Sequence, residues 1–395
     1  MSDIGSLAIV AMMNFSSTFQ KISTCSLILL FSALAGSAQA AVLPEERGDI
    51  LYHSYDGGGA TIDGPAVLVR KNFGESVSVG VNHYVDNVTS ASIDVVVNAS
   101  EYTENREENT LSVDYLNEKT TISFGYTKSI ENDFDATTLN LGISQEMFGD
   151  LTTLTVGFAL GDNIIGQNGD DDFEETAEVR SYRLSLTQIL TKKLIMSFAF
   201  DTTTDEGFLN NPYRVVRYRD PVSPVGYLFQ PEVYPQTRTS NAFAIRANYY
   251  LEQHAAIHTG YRFFTDSWGI EASTYELGYI LPYGEDWIFE ASFRFHDQGE
   301  ADFYSDLFPF QDAQNFLARD KEMSSFSSTT IGAGVSWEFG RAWEKIERGA
   351  LSLNIDWIQF DYDNFRDLTD DSPVGTESLY EFDATVIRAF ASIWF

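Results

Sequence analysis

The sequence predicts an all-β protein: a single antiparallel up-and-down β-barrel that crosses a membrane with about sixteen strands. Segments of roughly ten residues alternate large apolar side chains with small or polar ones, as in 122–128 and 154–160. A period of two places one set on each face of a strand. The connectors between these segments alternate between short and long. Together these features are typical of a barrel with lipid outside and a polar interior.

Each predicted strand is an alternating run bounded by turn residues, such as Asp56-Gly-Gly-Gly59, Phe73-Gly-Glu-Ser76 and Leu281-Pro-Tyr-Gly-Glu285. In chain order the runs are 48–55, 65–72, 77–85, 111–116, 120–128, 134–145, 151–160, 179–188, 194–203, 241–250, 255–265, 270–280, 287–296, 327–339, 351–360 and 380–395. Their number is even, as bacterial single-chain barrels require. The first run has the weakest pattern, so fourteen strands is the alternative.

The connector lengths also predict the orientation of the barrel. If both chain ends are periplasmic, each connector from an even to an odd strand is a periplasmic turn. These connectors are short, around Gly74, Asn117, Gly149, Thr191, Glu252 and Gly284, and 340–349 is the exception. The long connectors fall outside, at 86–109, 161–176, 204–235, 297–323 and 361–379. Short periplasmic turns and long extracellular loops are the usual arrangement.

The two ends of the chain predict export to the outer membrane of a Gram-negative bacterium. Lys21, a short apolar run and Ala38-Gln-Ala40 form a secretory signal peptide, residues 1–40, leaving a barrel at 41–395. The single cysteine, Cys25, lies within this signal. The last strand ends in Phe395, which resembles the signal read by the bacterial barrel-assembly machinery. We therefore expect outer-membrane lipid and that machinery as partners.

The charge balance excludes one class of partner. The chain has 25 Lys and Arg against 58 Asp and Glu, a net charge of −33. Nucleic-acid binding requires a basic surface, so we expect none.

Charged side chains on the polar face of the strands are the first candidates for function, because a charge facing lipid is costly. The alternation predicts that side chains of both charge signs on four consecutive strands face the lumen and form one patch. The patch consists of Arg246, His258, Arg262, Glu276, Glu290, Arg294 and His296. One interpretation is a polarised channel wall that orients a charged solute. The other is a salt-bridge network that fills a narrow lumen. The residues alone support both.

The loop 204–235 carries Arg214, Arg217 and Arg219 in a chain with few basic residues. Long loops without secondary structure of their own are often functional. One hypothesis is that this loop folds into the barrel as a constriction, with its arginines facing carboxylates across the pore. The alternative is an extracellular loop whose arginines pair with neighbouring acidic loops.

The sequence gives little reason to expect a cofactor or an enzyme. Asp170, Asp171 and Asp172 are dense enough in oxygen ligands for Ca²⁺, but their spacing is not that of an EF-hand and acidic surface loops are common. Ser292 and His296 share a strand face about 13 Å apart at roughly 3.3 Å per residue, too far to act together. We expect no catalytic residues and no resident metal.

Several stretches resemble a family of proteobacterial outer-membrane proteins that is catalogued as a domain of unknown function. The stretches that carry the resemblance are Glu46–Ile50, Tyr55–Gly59, Gly64-Pro65 with Val69–Lys71, Thr204–Arg214, Ala301–Phe308 and Asp312–Glu322. The resemblance covers essentially the whole mature chain and implies the barrel and its location. It implies no activity and no functional residues.

These observations favour a porin-like channel that passes small solutes, with lumenal charges and infolded loops as its filter. A function of another class is a non-conducting barrel that anchors or exports a partner protein. Neither the solute nor the oligomeric state follows from the sequence.

Overall fold

Sixteen strands close into one antiparallel barrel in the computed structural model, which describes residues 42–90, 102–340 and 346–395. The predicted signal peptide, residues 1–40, lies outside the described residues. The strands are β1 (Arg47–Gly57), β2 (Ala60–Phe73), β3 (Val77–Ser90), β4 (Tyr102–Asn117), β5 (Thr120–Ile130), β6 (Phe134–Met147), β7 (Thr152–Gln167), β8 (Asp170–Thr191), β9 (Leu194–Gly207), β10 (Val215–Arg219), β11 (Tyr227–Pro231), β12 (Thr237–Tyr250), β13 (Ala256–Asp266), β14 (Glu271–Tyr283), β15 (Trp287–Gln298), β16 (Phe326–Phe339), β17 (Arg348–Arg366) and β18 (Leu379–Trp394). Strands β10 and β11 form a separate hairpin.

The strand with the weakest sequence pattern closes the barrel. β1 pairs with β2 on one side and with β18 on the other, in the second case from Arg47 opposite Trp394 to Gly57 opposite Ala384. The prediction of sixteen strands is therefore confirmed over the alternative of fourteen. After β18, the Phe395 N–H donates to the Glu46 carbonyl at 3.3 Å, and Lys71 lies over the Phe395 ring. Recognition of Phe395 by the assembly machinery stays a prediction.

The two faces of the strands are as the alternation predicts. Phe124 on β5 and Val156 on β7 point outward and are 42% and 51% exposed, whereas Thr127 is 1% exposed on the inner face. A belt of such exposed apolar side chains around a closed sheet is the surface of a membrane-spanning barrel. This architecture confirms the predicted location in the bacterial outer membrane.

Among the residues that the structure describes, no helix is long and apolar enough to cross a membrane.

Two of the predicted loops are wrong, because they are largely strand. β3 continues to Ser90 and β4 begins at Tyr102, within the predicted loop 86–109. β7 and β8 leave only Asn168 and Gly169 between them, so 161–176 is a paired hairpin. The physical reason is that both faces of a strand meet water above the bilayer. Polar residues then occupy both faces and the alternation disappears, while the backbone ladder continues.

The long loops all leave one end of the barrel, which is the extracellular end in this architecture. They are 208–236, which contains the β10–β11 hairpin, 299–325 and 367–378. At the other end the connectors are short, such as 118–119 between β4 and β5 and 192–193 between β8 and β9. The asymmetry predicted from the sequence is confirmed.

Neighbouring residues on β3 give a direct test of which face meets lipid. Val81 is 55% exposed on the outer face, between Val69 and Leu111, whereas Asn82 points into the lumen. We expect Val81→Arg to lower the free energy of unfolding in liposomes by roughly 2–4 kcal/mol, since the charge enters hydrocarbon. The matched variant Asn82→Arg leaves the charge in the lumen, and its cost is expected to be small. Equal losses in a denaturant titration of the two variants would contradict the assigned faces.

Candidate functional site

Three extracellular loops fold together across the mouth of the barrel. We call residues 208–236, 299–325 and 367–378 the loop layer. On one side, Tyr213 contacts Asp133 and accepts a hydrogen bond from the Asn168 N–H at 2.5 Å, next to β6 and β7. On the other side, the Tyr304 hydroxyl donates to the Asn364 carbonyl of β17 at 3.2 Å. β7 and β17 lie eight of sixteen strands apart, so the loop layer spans the barrel from wall to opposite wall.

The loop layer has an apolar core of its own that continues onto the barrel wall. Tyr234 and Phe303 of the loop layer pack ring against ring with Trp268, from the turn between β13 and β14, at centroid distances of 5.3–5.5 Å. Their cluster includes lumen-facing Phe134 and Ile165 at the extracellular ends of β6 and β7. The burial of these rings fixes the loops against the inner wall, because apolar area removed from water stabilises the contact.

A fully buried arginine joins the three loops. Arg217 on β10 is 0% exposed. Its Nη1 donates to Glu377 at 2.6 Å, its Nη2 pairs with Asp306, and its Nε donates to the Asp306 carbonyl at 2.9 Å. The partners come from 299–325 and 367–378. The structure thus places Arg217 against carboxylates of the other loops and not against the lumen wall. Removing either the arginine or a carboxylate from such a buried ion pair lowers stability strongly, because the remaining charge is left buried without a partner.

The other two loop arginines occupy different positions. Arg214 pairs with Asp320 at 3.0 Å and is largely buried. Arg219 ends β10 and is exposed. Of the three predicted arginines, the structure therefore brings two into the interior of the loop layer and leaves one on its surface.

A buried carboxylate that the sequence analysis missed lies at the centre of the loop layer. Glu232 is 3% exposed and accepts hydrogen bonds from the N–H groups of Arg319 and Asp320 at 2.7 and 2.8 Å and from the Tyr234 hydroxyl at 2.6 Å. Burial, with the nearby Asp320 carboxylate, raises the pKa of Glu232 to about 7, and Arg214 partly opposes this. The sequence holds one indication of this position: Glu232 is the only acidic residue in 227–238, a stretch rich in apolar and aromatic side chains.

Below the loop layer, the predicted patch lines one side of the lumen. Register places Arg246 opposite Gly260, Gly260 opposite Glu276, and Glu276 opposite Arg294 in a single row across β12 to β15. Arg262 and His296 lie one row nearer the extracellular end, and His258 one row nearer the periplasm. Glu290 is two rows below Arg294 on β15. All seven side chains therefore lie on the same wall.

Glycines let these side chains lie flat along the wall. A Cβ atom at Gly278 would lie 1.8 Å from the His258 ring, and one at Gly260 would lie 3.0 Å from Glu276 Oε2. The same holds at Gly332, where Asp356 occupies the space of the missing side chain at 2.2 Å. The side chains of Glu276, His258 and Asp356 thus lie over neighbouring strands, in the space that these glycines leave free.

The opposite wall carries mainly acidic groups. β4 lies eight strands from β14. Asp86 bonds to His53 at 2.7 Å, and Arg106 contacts Glu108 at 2.8 Å and Asp86 at 3.8 Å. This network, on strands that the sequence analysis treated partly as a loop, was not predicted.

The three aspartates considered for calcium lie on β8, where Asp170, Asp171 and Asp172 are exposed and alternate between its faces. Within the described ranges, the carboxylates that approach one another closely enough to share an ion are instead Glu104, Glu131 and Asp133, all within 4.8 Å. Glu131 also lies 3.8 Å from Arg106, and Asp133 contacts Tyr213. These carboxylates already have protein partners.

The family that the sequence resembles can now be identified. The profile of a family described as "Protein of unknown function (DUF3570)" matches residues 97–350. The chain belongs to this family. The matched region contains most of the barrel strands, the lumenal patch of β12 to β15 and two of the three loops of the loop layer. A search of curated proteins gave no match.

The DUF3570 chain also resembles solved outer-membrane barrels at low sequence identity. A bacterial polysaccharide outer membrane secretin is 6% identical, with a TM-score of 0.46 over 89% of this chain and 99% of that one. The CymD monoaromatic hydrocarbon channel is 11% identical, with a TM-score of 0.43 over 100% and 94%. The siderophore receptor PirA from Pseudomonas aeruginosa is 10% identical, with a TM-score of 0.40 over 89% of this chain, which spans 63% of the receptor.

The raised pKa of Glu232 predicts that acid stabilises the loop layer. The folded loop layer binds the proton more tightly than the unfolded chain, so this contribution is complete below a pH of about 4.5 and is lost as the pH rises toward about 7. Its size is up to about 3 kcal/mol, since each pKa unit is worth about 1.4 kcal/mol. The Val233 and Leu317 amides, which bond to each other's carbonyls, should exchange with solvent at least about ten-fold faster at pH 7.5 than at pH 5, after correction for intrinsic rates.

The control is Glu232→Gln, which keeps an oxygen for the two N–H donors and lets the Tyr234 hydroxyl accept from the new amide. In this variant the corrected exchange rates of the Val233 and Leu317 amides should be the same at pH 5 and at pH 7.5. An identical pH dependence in both proteins would show that Glu232 is not the titrating group.

Proposed function

We propose that this protein is a channel for small solutes in the outer membrane, with a conducting lumen and a loop layer that controls its extracellular entrance. The observation that carries the proposal is the flat arrangement of charged side chains over Gly260, Gly278 and Gly332. A network that served only to fill a core would project side chains into the centre. Sixteen strands enclose enough space for water when the wall residues are kept low.

The filter in this proposal has two parts. The lumenal charges set the sign of the solutes that pass, because desolvated charges in a narrow pore act strongly on ions. The loop layer sets the size and timing of access, since it spans the mouth from β7 to β17. Its movement requires the buried contacts of Arg217 and Glu232 to separate together.

A second candidate function follows from the same loop layer. A mouth closed by an interlocked layer also suits a barrel that does not conduct and instead anchors or exports a partner protein. In that case the buried ion pairs of Arg217 are permanent supports. Ion conductance separates the two proposals, because only the first requires the lumen to open.

We propose no enzymatic activity and no resident cofactor. His296 is 8% exposed and its Nδ1 bonds to the Thr274 hydroxyl at 2.9 Å. Its ring therefore faces a neighbouring strand and not Ser292. An assay of the refolded protein against ester substrates is the corresponding check, and turnover would contradict this part of the proposal.

Arg217→Ala should open the channel. The variant leaves the carboxylates of Asp306 and Glu377 buried without their cation, which costs on the order of 3–5 kcal/mol of loop-layer stability. In planar bilayers we expect longer and more frequent open steps than in the unaltered protein. The matched control is Arg219→Ala, which removes the same charge from the exposed end of the same strand and should leave the records unchanged.

If Arg217→Ala folds, inserts and stays silent while its loop layer exchanges hydrogen rapidly, the lumen does not conduct and the anchoring function is favoured. Cleavage of 208–236 by added protease reports whether the loop layer has loosened.

A further inference from the structure

The lumen wall of β12 to β15 concentrates positive charge in a strongly acidic chain. Arg246 on β12, Arg262 on β13 and Arg294 on β15 lie in two neighbouring rows, and Glu276 on β14 lies among them. With Glu290, two rows below Arg294, the patch holds three arginines and two carboxylates, an excess of one positive charge with the histidines neutral. The whole chain carries −33, so this local excess is contrary to the overall balance.

The nearest carboxylates are engaged by other arginines. Glu276 lies 4.0 Å from Arg294 Nε and shares the space above Gly260 with the stem of Arg246. Asp201, the other acid in electrostatic range of Arg262, pairs with Arg183. Neither acid is therefore held by Arg262.

Arg262 itself has no hydrogen-bond or ion-pair partner among residues 42–90, 102–340 and 346–395. Its contact is with the face of Phe264, 5.4 Å from the ring centroid. Beside it, Arg294 Nε has no hydrogen-bond partner in the same described ranges. Arg262 is only half-buried, so its free donors open to the lumen.

This arrangement suits one class of ligand. A guanidinium has five donors in a planar fork that matches the two oxygens of a carboxylate. A charge-assisted, bidentate pair is the strongest contact such a group makes. Phe264 supports the plane of the guanidinium from one side and leaves its edge free for a ligand.

We propose that Arg262, assisted by Arg294, is a binding site for small carboxylate solutes inside the lumen. The site rests on the proposed channel function in one respect, since solutes must reach the lumen. It names the substrate class of that channel: organic anions that carry at least one carboxylate. The site slows a passing anion and makes the pore favour anions despite the acidic chain.

The test is calorimetric binding of succinate to the refolded full-length mature chain in detergent, with neutral succinamide as the matched probe. We expect saturable binding of succinate and none of succinamide. Arg262→Gln should weaken succinate binding about ten-fold or more, the value of one charge-assisted hydrogen bond. Arg262→Lys keeps the charge without the fork and should bind with intermediate strength.

The matched control is Arg70→Gln. Arg70 is also a lumen-facing arginine, but it is paired with Asp114 at 2.6 Å on the opposite side of the barrel. Its removal takes the same charge from the lumen and should change succinate binding less than about two-fold, because it lies outside the site. Denaturant unfolding of each variant confirms that the barrels are intact.

Three results would overturn the site: no saturable binding of succinate, equal binding of succinamide, or unchanged binding in Arg262→Gln. Bilayer records keep the two proposals apart. A protein that conducts ions but does not bind succinate retains the channel and loses the site. A protein that binds succinate through Arg262 but conducts in no variant retains the site and loses the channel.

Discussion

Inside a bilayer the backbone has no water to bond to, so each strand must find a partner on both sides. β1 and β18 satisfy this requirement for each other and close the sheet. Closure then divides the side chains into an outer set that meets lipid and an inner set that does not. Charges such as Arg262 and Glu276 can exist at this depth only on the inner side. The position of every candidate residue in the lumen follows from this one constraint.

Two of the few basic residues, Arg217 and Arg262, differ in what surrounds them. Arg217 has no exposure and joins two carboxylates from other loops, so it stabilises the loop layer as a unit. Arg262 lies on the lumen wall and has no ion-pair partner in the part of the chain that the structure describes. In the proposed channel, the first arrangement holds the extracellular mouth closed, and the second leaves donors for a ligand. A channel needs both, because access and selectivity are separate tasks.

The strands and their faces could be predicted because lipid enforces a strict alternation, as in Ile122 to Tyr126. The extended hairpin of β7 and β8 could not, since water on both faces removes that alternation. The contacts of the loop layer could not be predicted from the sequence for a different reason. Arg217 and Glu377 are 160 residues apart, and Glu232 and Asp320 are 88 apart, so no local pattern connects them. The alternation predicts which residues form the lumenal patch, but the partners of Arg262 depend on side-chain geometry.

The central claim is that the loop layer closes a lumen that is otherwise open. The most direct test is the conductance of single molecules in planar bilayers, before and after removal of residues 208–230. This deletion takes away the β10–β11 hairpin with Arg217, while Gly207 and Pro231 can be rejoined at the barrel rim. We expect brief or absent openings in the intact protein and a large, steady open step in the deletion variant. Identical records from the two proteins, with both barrels shown to be folded and inserted, would contradict it.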